Sequence, residues 1–400
     1  MYLITNGLII TEELILSGYD LLVKDGIINK ILPQGEMKIS DDIKVIDAAG
    51  GYVSPGFIDI HSDYIEHMAS PRPSCLMDFH MSIRETEKEL VSHGITTMFH
   101  SLSLFKATEY KPRPIRDPKN VRKFIDLIDQ TQTGRNLIRH RFHGRFEIDN
   151  IKEAERLAAY IAENKVHLVS FMDHTPGQGQ YRDLEVYRDM VKSYEDASDA
   201  EIDTMISQEQ AKQKMTHEGM KELADLARNN GIAIASHDDD SLEKLELVQS
   251  LGATISEFPI TIEVALKAKE MGMFTMAGAP NILLGGSHSG NLSAAAAILA
   301  NSIDILCSDY YPPALLHAVF AMHDRYGMKL VDMFRLVTIN PAKAVNMDLE
   351  IGSITVGKKA DLLVIEKVEQ DFPVVTMVMV EGKLVQRTHY GTQKNNDAQK

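Results

Sequence analysis

The sequence predicts an α/β fold, in which a (β/α)8 TIM-like barrel is joined to a small β-sandwich domain formed by the N- and C-terminal segments. Two observations lead to this prediction. Between residues 55 and 346, apolar strand-like runs alternate with helical patterns, as in successive parallel β/α units. The segments 1–54 and 347–388 instead contain short β-rich runs separated by glycine-containing turns.

The two terminal segments share one pattern, in which short β-rich runs are separated by turns. The first contains MYLITNGLII, YDLLVKDGIINKIL with its Asp-Gly turn, and IKVIDAAGGYVSP, while the second contains IGSITVGKKADLLVIE and VVTMVMVEGKLVQ. We therefore expect residues 1–54 and 347–388 to form one composite domain, followed by a polar tail at 389–400. Within the barrel, the charged stretch 177–220 lengthens one connection and is either a lid over the barrel mouth or a pair of solvated surface helices.

Eight apolar runs are candidates for the barrel strands, which is the number a closed barrel requires. They are VSPGFIDIH, ITTMFHSLS, LIRHRFHGRFEI, VHLVSFMDH, IAIASHDDD, ATISEFPI, FTMAGAPNI and DILCSDYY. Catalytic groups of such barrels lie at the C-terminal ends of the strands. The polar residues at these ends are His61, Asp63, His100, Glu147, Asp173, His174, His237, Glu257, Asn281 and Asp309.

The composition narrows the classes of partner and compartment. A formal net charge of −15 argues against nucleic acid or an anionic membrane as a general partner, so a phosphate-rich ligand would have to be held by local groups. The chain has two cysteines, no apolar run of about 18 residues and no signal-peptide pattern at its start. We expect a soluble, cytoplasmic protein.

His61 and Asp63 are two residues apart, so both side chains would point to one face of a strand and could bind a divalent metal ion. Alternatively, Asp63 caps a turn and His61 is a core histidine. The other predicted ligands are Glu147, His174, His237 and Asp309. Converging carboxylates would repel one another without a cation, which favours one or two bound ions. Asp309 could also accept the proton of an attacking water, or be a ligand only.

Two glycine-containing stretches are candidates for binding phosphate oxygens through backbone amides, or are simply polar loops. They are GQGQYR at 177–182 and GGSHSGN at 285–291. The residues assigned to substrate binding are Arg72, Arg145, Gly177, Arg182, Gly285, Gly286 and His288. Each arginine could instead form a surface salt bridge. The Asp238–Asp240 run either holds magnesium on a polyphosphate or caps the helix SLEKLELVQS.

Three motifs, PGFIDIH, TINPAKAVNM and IGSITVGKKADLLVI, resemble the framework of the amidohydrolase superfamily. A narrower set, including PRPS, MDHTPGQGQYRD, ASHDDDS, GAPNILLGGSHSGNLSA and LCSDYYPPALL, resembles its phosphonate-metabolism branch, the triphosphate diphosphatases of the carbon-phosphorus lyase pathway. The resemblance implies a metal-bearing barrel and hydrolysis of a ribosyl alkylphosphonate triphosphate to the 5-phosphate and pyrophosphate. It also implies a small-molecule partner and a divalent metal: zinc, with manganese, iron or magnesium as alternatives.

The chain departs from the wider superfamily, which usually has two histidines on the first strand and a carboxylated lysine on the fourth. The resemblance implies His61, Asp63, Glu147, His174, His237 and Asp309 as ligands, with Glu257 as an alternative to His174. Two other functions stay open: hydrolysis of a cyclic amide or an N-acyl amino acid, and a non-catalytic, metal-stabilised component of a phosphonate-degrading assembly. A homodimer is compatible with the small β-domain.

Overall fold

The structure is a computed structural model that describes residues 1–72, 74–104, 114–194, 197–286 and 292–391. His288 lies outside the described residues, so the prediction for it stays open. Among the helices of the described ranges, none is both long enough and apolar enough to cross a membrane.

Eight parallel strands form the barrel, in the order in which they occur along the chain. They are β8 (Phe57–Ser62), β9 (Ile95–Leu104), β10 (Arg139–Glu147), β11 (Leu168–Met172), β12 (Ala233–His237), β13 (Ile255–Glu257), β14 (Phe274–Gly278) and β15 (Ile305–Cys307). Between β15 and β8 a single parallel bridge, Ser62 to Asp309, closes the ring. All eight strands coincide with the eight predicted runs, so the predicted barrel is confirmed.

Helices separate the strands and cover the outside of the barrel. They are α1 (Tyr64–Ala69), α2 (Phe79–Ser92), α3 (Pro118–Thr131), α4 (Ala154–Ala162), α5 (Leu184–Tyr194), α6 (Asp199–Gln210), α7 (His217–Asn229), α8 (Leu242–Ser250), α9 (Ile262–Glu270), α10 (Ala279–Leu284), α11 (Ala294–Leu299), α12 (Ala314–Tyr326), α13 (Leu330–Arg335) and α14 (Ile339–Ala344). In α3, for example, the Asp117 side chain caps the first turn and the face bearing Phe124 and Ile128 is buried.

The start of α8 corrects one prediction. The Ser241 hydroxyl accepts a hydrogen bond from the backbone N–H of Lys244 at 3.2 Å and is the N-cap. The preceding aspartates therefore do not cap this helix. Asp239 instead accepts hydrogen bonds from Ser236 and Ser256, each at 2.5 Å, which leaves Asp238 directed towards the barrel mouth.

Both termini add sheets, as predicted. The N-terminal strands are β1 (Tyr2–Thr5), β2 (Leu8–Ile10), β3 (Ile15–Leu16), β4 (Tyr19–Lys24), β5 (Ile27–Pro33), β6 (Lys44–Asp47) and β7 (Tyr52–Pro55), and the C-terminal strands are β16 (Leu362–Val368), β17 (Phe372–Val380) and β18 (Lys383–Arg387). One sheet has the order β5-β4-β1-β6 and the other β18-β17-β16-β7-β2-β3, so the second combines both ends of the chain. Side chains from both sheets, such as Leu21 and Leu362, share one core.

A buried ion pair joins the barrel to the terminal sheets. Arg139, the first residue of β10, pairs with both carboxylate oxygens of Asp361, which directly precedes β16, and with Glu381 at 3.0 Å. Arg139 and Asp361 are only 10% and 4% exposed. Asp361, the aspartate of the motif KKADLLVI, therefore connects the terminal sheets to the first residue of strand β10.

The insertion at 177–220 contains α5 and α6, which pack against each other around Tyr187, Val191 and Ile202. Its base is tied to the barrel by an ion pair between Lys214 and Asp173, whose Nζ and Oδ2 atoms are 2.8 Å apart. Two helices that share a small core are compatible with both interpretations of this segment, a lid over the mouth and a pair of surface helices. Its role as a lid stays a prediction.

Candidate metal and catalytic site

Strand β10 shows how the sequence builds the mouth of the barrel. Because side chains alternate along a strand, His143, Arg145 and Glu147 share the face that looks into the barrel. His143 lies deepest, where Nδ1 is 3.0 Å from the Ser101 hydroxyl and Nε2 is 2.9 Å from the Ser170 hydroxyl. The strand thus supplies a histidine to the floor of the mouth and a cation and a carboxylate to its rim.

A first group of potential metal donors consists of His61, His237 and Glu257, whose donor atoms all lie within 4.8 Å of one another. Nδ1 of His61 is 3.2 Å from Oε1 of Glu257, and all three residues are buried. The second carboxylate oxygen of Glu257 has no hydrogen-bond partner among the described residues. Two imidazoles and a carboxylate are a donor set that binds zinc and similar divalent ions.

A second group shares His237 and adds His174 and Asp238. Nε2 of His174 is 3.8 Å from Oδ2 of Asp238, and its Nδ1 is 2.5 Å from Oε1 of Glu147. Asp238 reaches this position because its backbone is left-handed, with φ of 52°. The two groups lie side by side, which is the arrangement that one or two neighbouring ions would require.

The seam between β8 and β15 brings the two remaining predicted residues together. The backbone N–H of Asp63 donates to the Asp309 carbonyl at 2.9 Å, and the N–H of Asp309 donates to the His61 carbonyl at 3.1 Å. Below them, the buried Asp59 carboxylate accepts the backbone N–H of Ser308 at 3.2 Å. These hydrogen bonds take the place of a regular β-ladder between β8 and β15. They fix the backbone at His61, Asp63 and Asp309.

The predicted placement of Asp63 on the same strand as His61 is wrong. Strand β8 ends at Ser62, and one extra residue is accommodated between Asp59 and Ser62 in its pairing with β9. Asp63 lies at the N-cap position of α1 without a side-chain cap hydrogen bond. Its Oδ1 atom is buried and unpartnered among the described residues, so its carboxylate is available at the mouth even though it is not in the strand.

Burial dominates the electrostatics of the site. It raises the pKa of Asp309 to about 7, with the nearby Asp63 carboxylate acting in the same direction. It also raises the pKa of Glu257 and lowers that of His61 well below its ordinary value. Burial opposes the protonation of His174 as well, but the carboxylates of Glu147 and Asp238 together outweigh it and raise the pKa of this histidine. Several carboxylates thus converge at the mouth, with the cations Arg145 and Arg116 beside them.

These features fit a divalent metal ion. Among the described residues, the buried oxygens Asp63 Oδ1 and Glu257 Oε2 have no hydrogen-bond partner. Two further potential donor atoms, Nδ1 of His237 and Oδ2 of Asp238, lie 2.9 Å from each other beside them. Unpaired buried polar atoms are costly, and a cation satisfies several carboxylate oxygens and imidazole nitrogens at once. The donor set itself therefore supports metal binding, while the identity and number of ions are matters for the proposal below.

The predicted substrate-binding residues fall into two classes. Arg145 lies inside the mouth, where its NH2 atom is 3.4 Å from Nε2 of His237. Arg72 and Arg182 are exposed, and Gly177 and Gly285 have positive φ angles of 96° and 80° in exposed turns. Of the predicted substrate-binding residues that the structure describes, Arg145 alone therefore lies beside the candidate metal donors. Gly286 follows Gly285 and donates its N–H to the carbonyl of Asn281 at 3.0 Å.

One residue predicted at the mouth lies elsewhere, and two residues in or near the mouth were not predicted. His100 lies on the outer face of β9, with Nε2 2.8 Å from Nδ1 of buried His140, so it is not part of the mouth. Arg116 was missed, although its guanidinium forms a two-pronged ion pair with Glu66 and lies 4.0 Å from the Asp63 carboxylate. His143 was also missed, because its two serine partners come from neighbouring strands and leave no local sequence signal.

Comparisons with known proteins agree with this geometry. The profile of the amidohydrolase family matches residues 52–385. The chain is 33% identical over 365 residues to the alpha-D-ribose 1-methylphosphonate 5-triphosphate diphosphatase of Escherichia coli K12, covering 90% of this chain and 94% of that protein. Two solved structures share the fold: ochratoxinase from A. niger (TM-score 0.66, 13% identity, 96% and 95% coverage) and N-acetylglucosamine-6-phosphate deacetylase from Pasteurella multocida (0.61, 14%, 96% and 99%).

Proposed function

The chain belongs to the amidohydrolase family and is a metal-dependent hydrolase, and from this premise we propose that it cleaves α-D-ribose 1-methylphosphonate 5-triphosphate to the 5-phosphate and pyrophosphate. The observation that carries the proposal is the similarity to the E. coli diphosphatase along nearly the whole length of both chains. The chemistry of the mouth supports it, because a carboxylate-rich donor set favours hard metal ions that also bind phosphate oxygens.

The metal ligands in this proposal come from the two donor groups, from the seam, and from Glu147, which contacts His174. They are His61, Asp63, Glu147, His174, His237, Glu257 and Asp309, with Asp238 directed at the same space. Zinc is our first assignment, since imidazole and carboxylate donors are mixed. A bound divalent ion would supply an acidified water and positive charge for the phosphate oxygens.

Asp309 is the proposed general base. Its backbone is held beside His61 and Asp63 at the mouth, where its carboxylate can accept the proton of an attacking water. Without a bound metal, burial and then Asp63 raise the pKa of Asp309 to about 7. In the proposed step, the water oxygen bonds to the α-phosphorus, the α–β bridging P–O bond breaks, and the water proton passes to Asp309. Pyrophosphate leaves with the electron pair of the broken bond, and Asp309 then releases its proton to solvent.

Arg145 is the proposed protein cation for the triphosphate. Its guanidinium faces the mouth between β10 and β12 and has a thioether and an imidazole as neighbours, with Nε 3.3 Å from the Met172 sulfur and NH2 3.4 Å from His237. A guanidinium can bind two phosphate oxygens at once, and it stabilises charge that develops on them during hydrolysis.

Phosphorus NMR of the purified, metal-assayed protein tests the proposal. We expect release of pyrophosphate from the ribosyl methylphosphonate triphosphate, in preference to ATP, and loss of this release in Asp309→Asn. Survival of both triphosphates with the metal site filled would reject the diphosphatase function. A panel of cyclic amides and N-acyl amino acids would then be the next set of substrates, and bound metal without any turnover would indicate a non-catalytic component.

A further inference from the structure

A cavity of about 310 Å³ lies at the opposite end of the barrel from the mouth. Its walls include Arg141, near the start of β10, and His167, which directly precedes β11. Arg141 is six residues before Glu147 on the same strand, which places the cavity about 20 Å from the rim of the mouth. A volume near the lower limit for ligand sites suits a small molecule.

Arg141 is a partly buried cation whose hydrogen-bond partners are neutral, and the carboxylates of Glu350 and Glu381 act on it only from a distance. Its NH1 group donates to the side-chain oxygen of Gln132 and, at 3.1 Å, to the carbonyl oxygen of His140. Within the described part of the chain, no carboxylate lies within ion-pair distance of it. Arg139, two residues earlier on the same face, differs because Asp361 and Glu381 neutralise it. Burial and the charge of Arg139 lower the pKa of Arg141, which a bound anion would counteract.

His167 adds a neutral hydrogen-bond donor. The backbone N–H of Phe142 donates to Nδ1 of His167 at 3.1 Å, so the neutral ring carries its proton on Nε2. Burial, followed by the positive charge of Arg141, lowers the pKa of His167 to about 3. The imidazole is therefore neutral at physiological pH, and its pKa responds to the positive charge of Arg141.

Apart from one carboxylate, that of Glu350, the remaining polar side chains of the cavity lining are neutral amides. Asn164, Asn230 and Asn346 contribute neutral amides. The acidic lining residue Glu350 has its own partner, since its Oε2 is 2.6 Å from Nζ of Lys359. A guanidinium without a direct carboxylate partner among the described residues, a neutral N–H donor and amide groups form a donor-rich pocket, which matches the oxygen atoms of a phosphate group.

We propose that this cavity is a second binding site, selective for a small phosphate-bearing anion, with Arg141 as its charge partner and His167 as a second donor. The site does not depend on which reaction the mouth catalyses. Inorganic phosphate and pyrophosphate share the required chemistry. Succinate has a similar charge, but its carboxylates are planar and lack the tetrahedral arrangement of oxygen atoms around phosphorus. It therefore distinguishes selectivity for phosphate from binding of any small anion.

The test is NMR of the metal-loaded protein labelled in its histidine rings. The His167 signals are assigned by their loss in His167→Asn, and their distance from the mouth separates the second site from phosphate bound at the metal. We expect phosphate or pyrophosphate to shift these signals in a saturable way and to raise the pKa of His167. Half-saturation should need at least about tenfold more ligand in Arg141→Gln, as expected for loss of a charged hydrogen-bond partner.

Arg325→Gln, which removes an exposed arginine on α12, is the matched control and should titrate like the natural protein. Should Arg141→Gln not fold, Arg141→Lys takes its place, because it keeps the charge but loses the planar fork and should also bind phosphate more weakly. Absence of any His167 shift, equal saturation in the Arg141 variant, or stronger binding of succinate than of phosphate would overturn the proposal.

Discussion

Asp309→Asn should remove turnover and at the same time stabilise the protein at alkaline pH. The folded protein holds the proton of Asp309 more tightly than the unfolded chain does, since burial and Asp63 raise its pKa from 3.8 to about 7. Between these two values the folded state binds more protons than the unfolded state. Stability contributed by this residue is therefore complete below pH 3.8 and is lost as the pH rises to about 7.

The size of the effect follows from the same two values. At roughly 1.36 kcal/mol per pH unit, the difference between 3.8 and about 7 corresponds to about 4 kcal/mol. Asp309 is only partly buried, so solvent reduces this figure, and we expect about 2–4 kcal/mol for Asp309→Asn at pH 8 and close to zero at pH 4. The backbone accepts the change, because asparagine tolerates the left-handed φ of 59° at this position.

Urea denaturation of chelator-treated protein at pH 4, 6 and 8 measures the stability, and phosphorus NMR of the metal-loaded protein measures turnover. Asp225→Asn, on the exposed surface of α7, is the control and should show no such dependence on pH. Equal unfolding free energies for Asp309→Asn and the natural protein at pH 8, or retained turnover, would refute the argument. Either result would mean that this carboxyl group is not the base with a raised pKa that the proposal requires.

Three further substitutions probe different parts of the molecule. His237→Asn should lower the metal content measured by mass spectrometry, because His237 belongs to both donor groups; His100→Asn, on the outer face of β9, should retain the metal. Arg145→Gln should raise KM for the triphosphate about 10- to 100-fold through loss of charged hydrogen bonds, and an unaltered KM would exclude this arginine from binding. Arg139→Leu should lower the unfolding free energy by about 3–5 kcal/mol, since it leaves the Asp361 carboxylate buried without its partner; unchanged stability in urea would argue against the ion pair.

The barrel could be predicted from the sequence because each strand is a short apolar run that ends in a polar residue. Its register depends only on local alternation, which is why His143, Arg145 and Glu147 share one face. The terminal sheets were predictable for a similar reason, since glycine-containing turns separate their strands. In both regions, the pattern of residues within a single segment was sufficient to predict the strand that it forms.

The details of the mouth depend on contacts between distant segments. The extra residue in β8 displaces Asp63 from the strand, and a left-handed backbone turns Asp238 towards His174, neither of which has a simple sequence signal. Glu257 was predicted only as an alternative ligand because β13 contains three residues and its neighbours, His61 and His237, come from other strands. Such positions follow from the closed ring rather than from any one segment.

Strand β10 performs several tasks with alternate residues: Arg139 joins the terminal sheets, Arg141 faces the lower cavity, His143 forms the floor, and Arg145 and Glu147 line the mouth. A one-residue slip would turn every one of these side chains to the opposite face. Point substitutions can therefore change one task at a time, whereas an insertion or deletion in this strand would abolish them together.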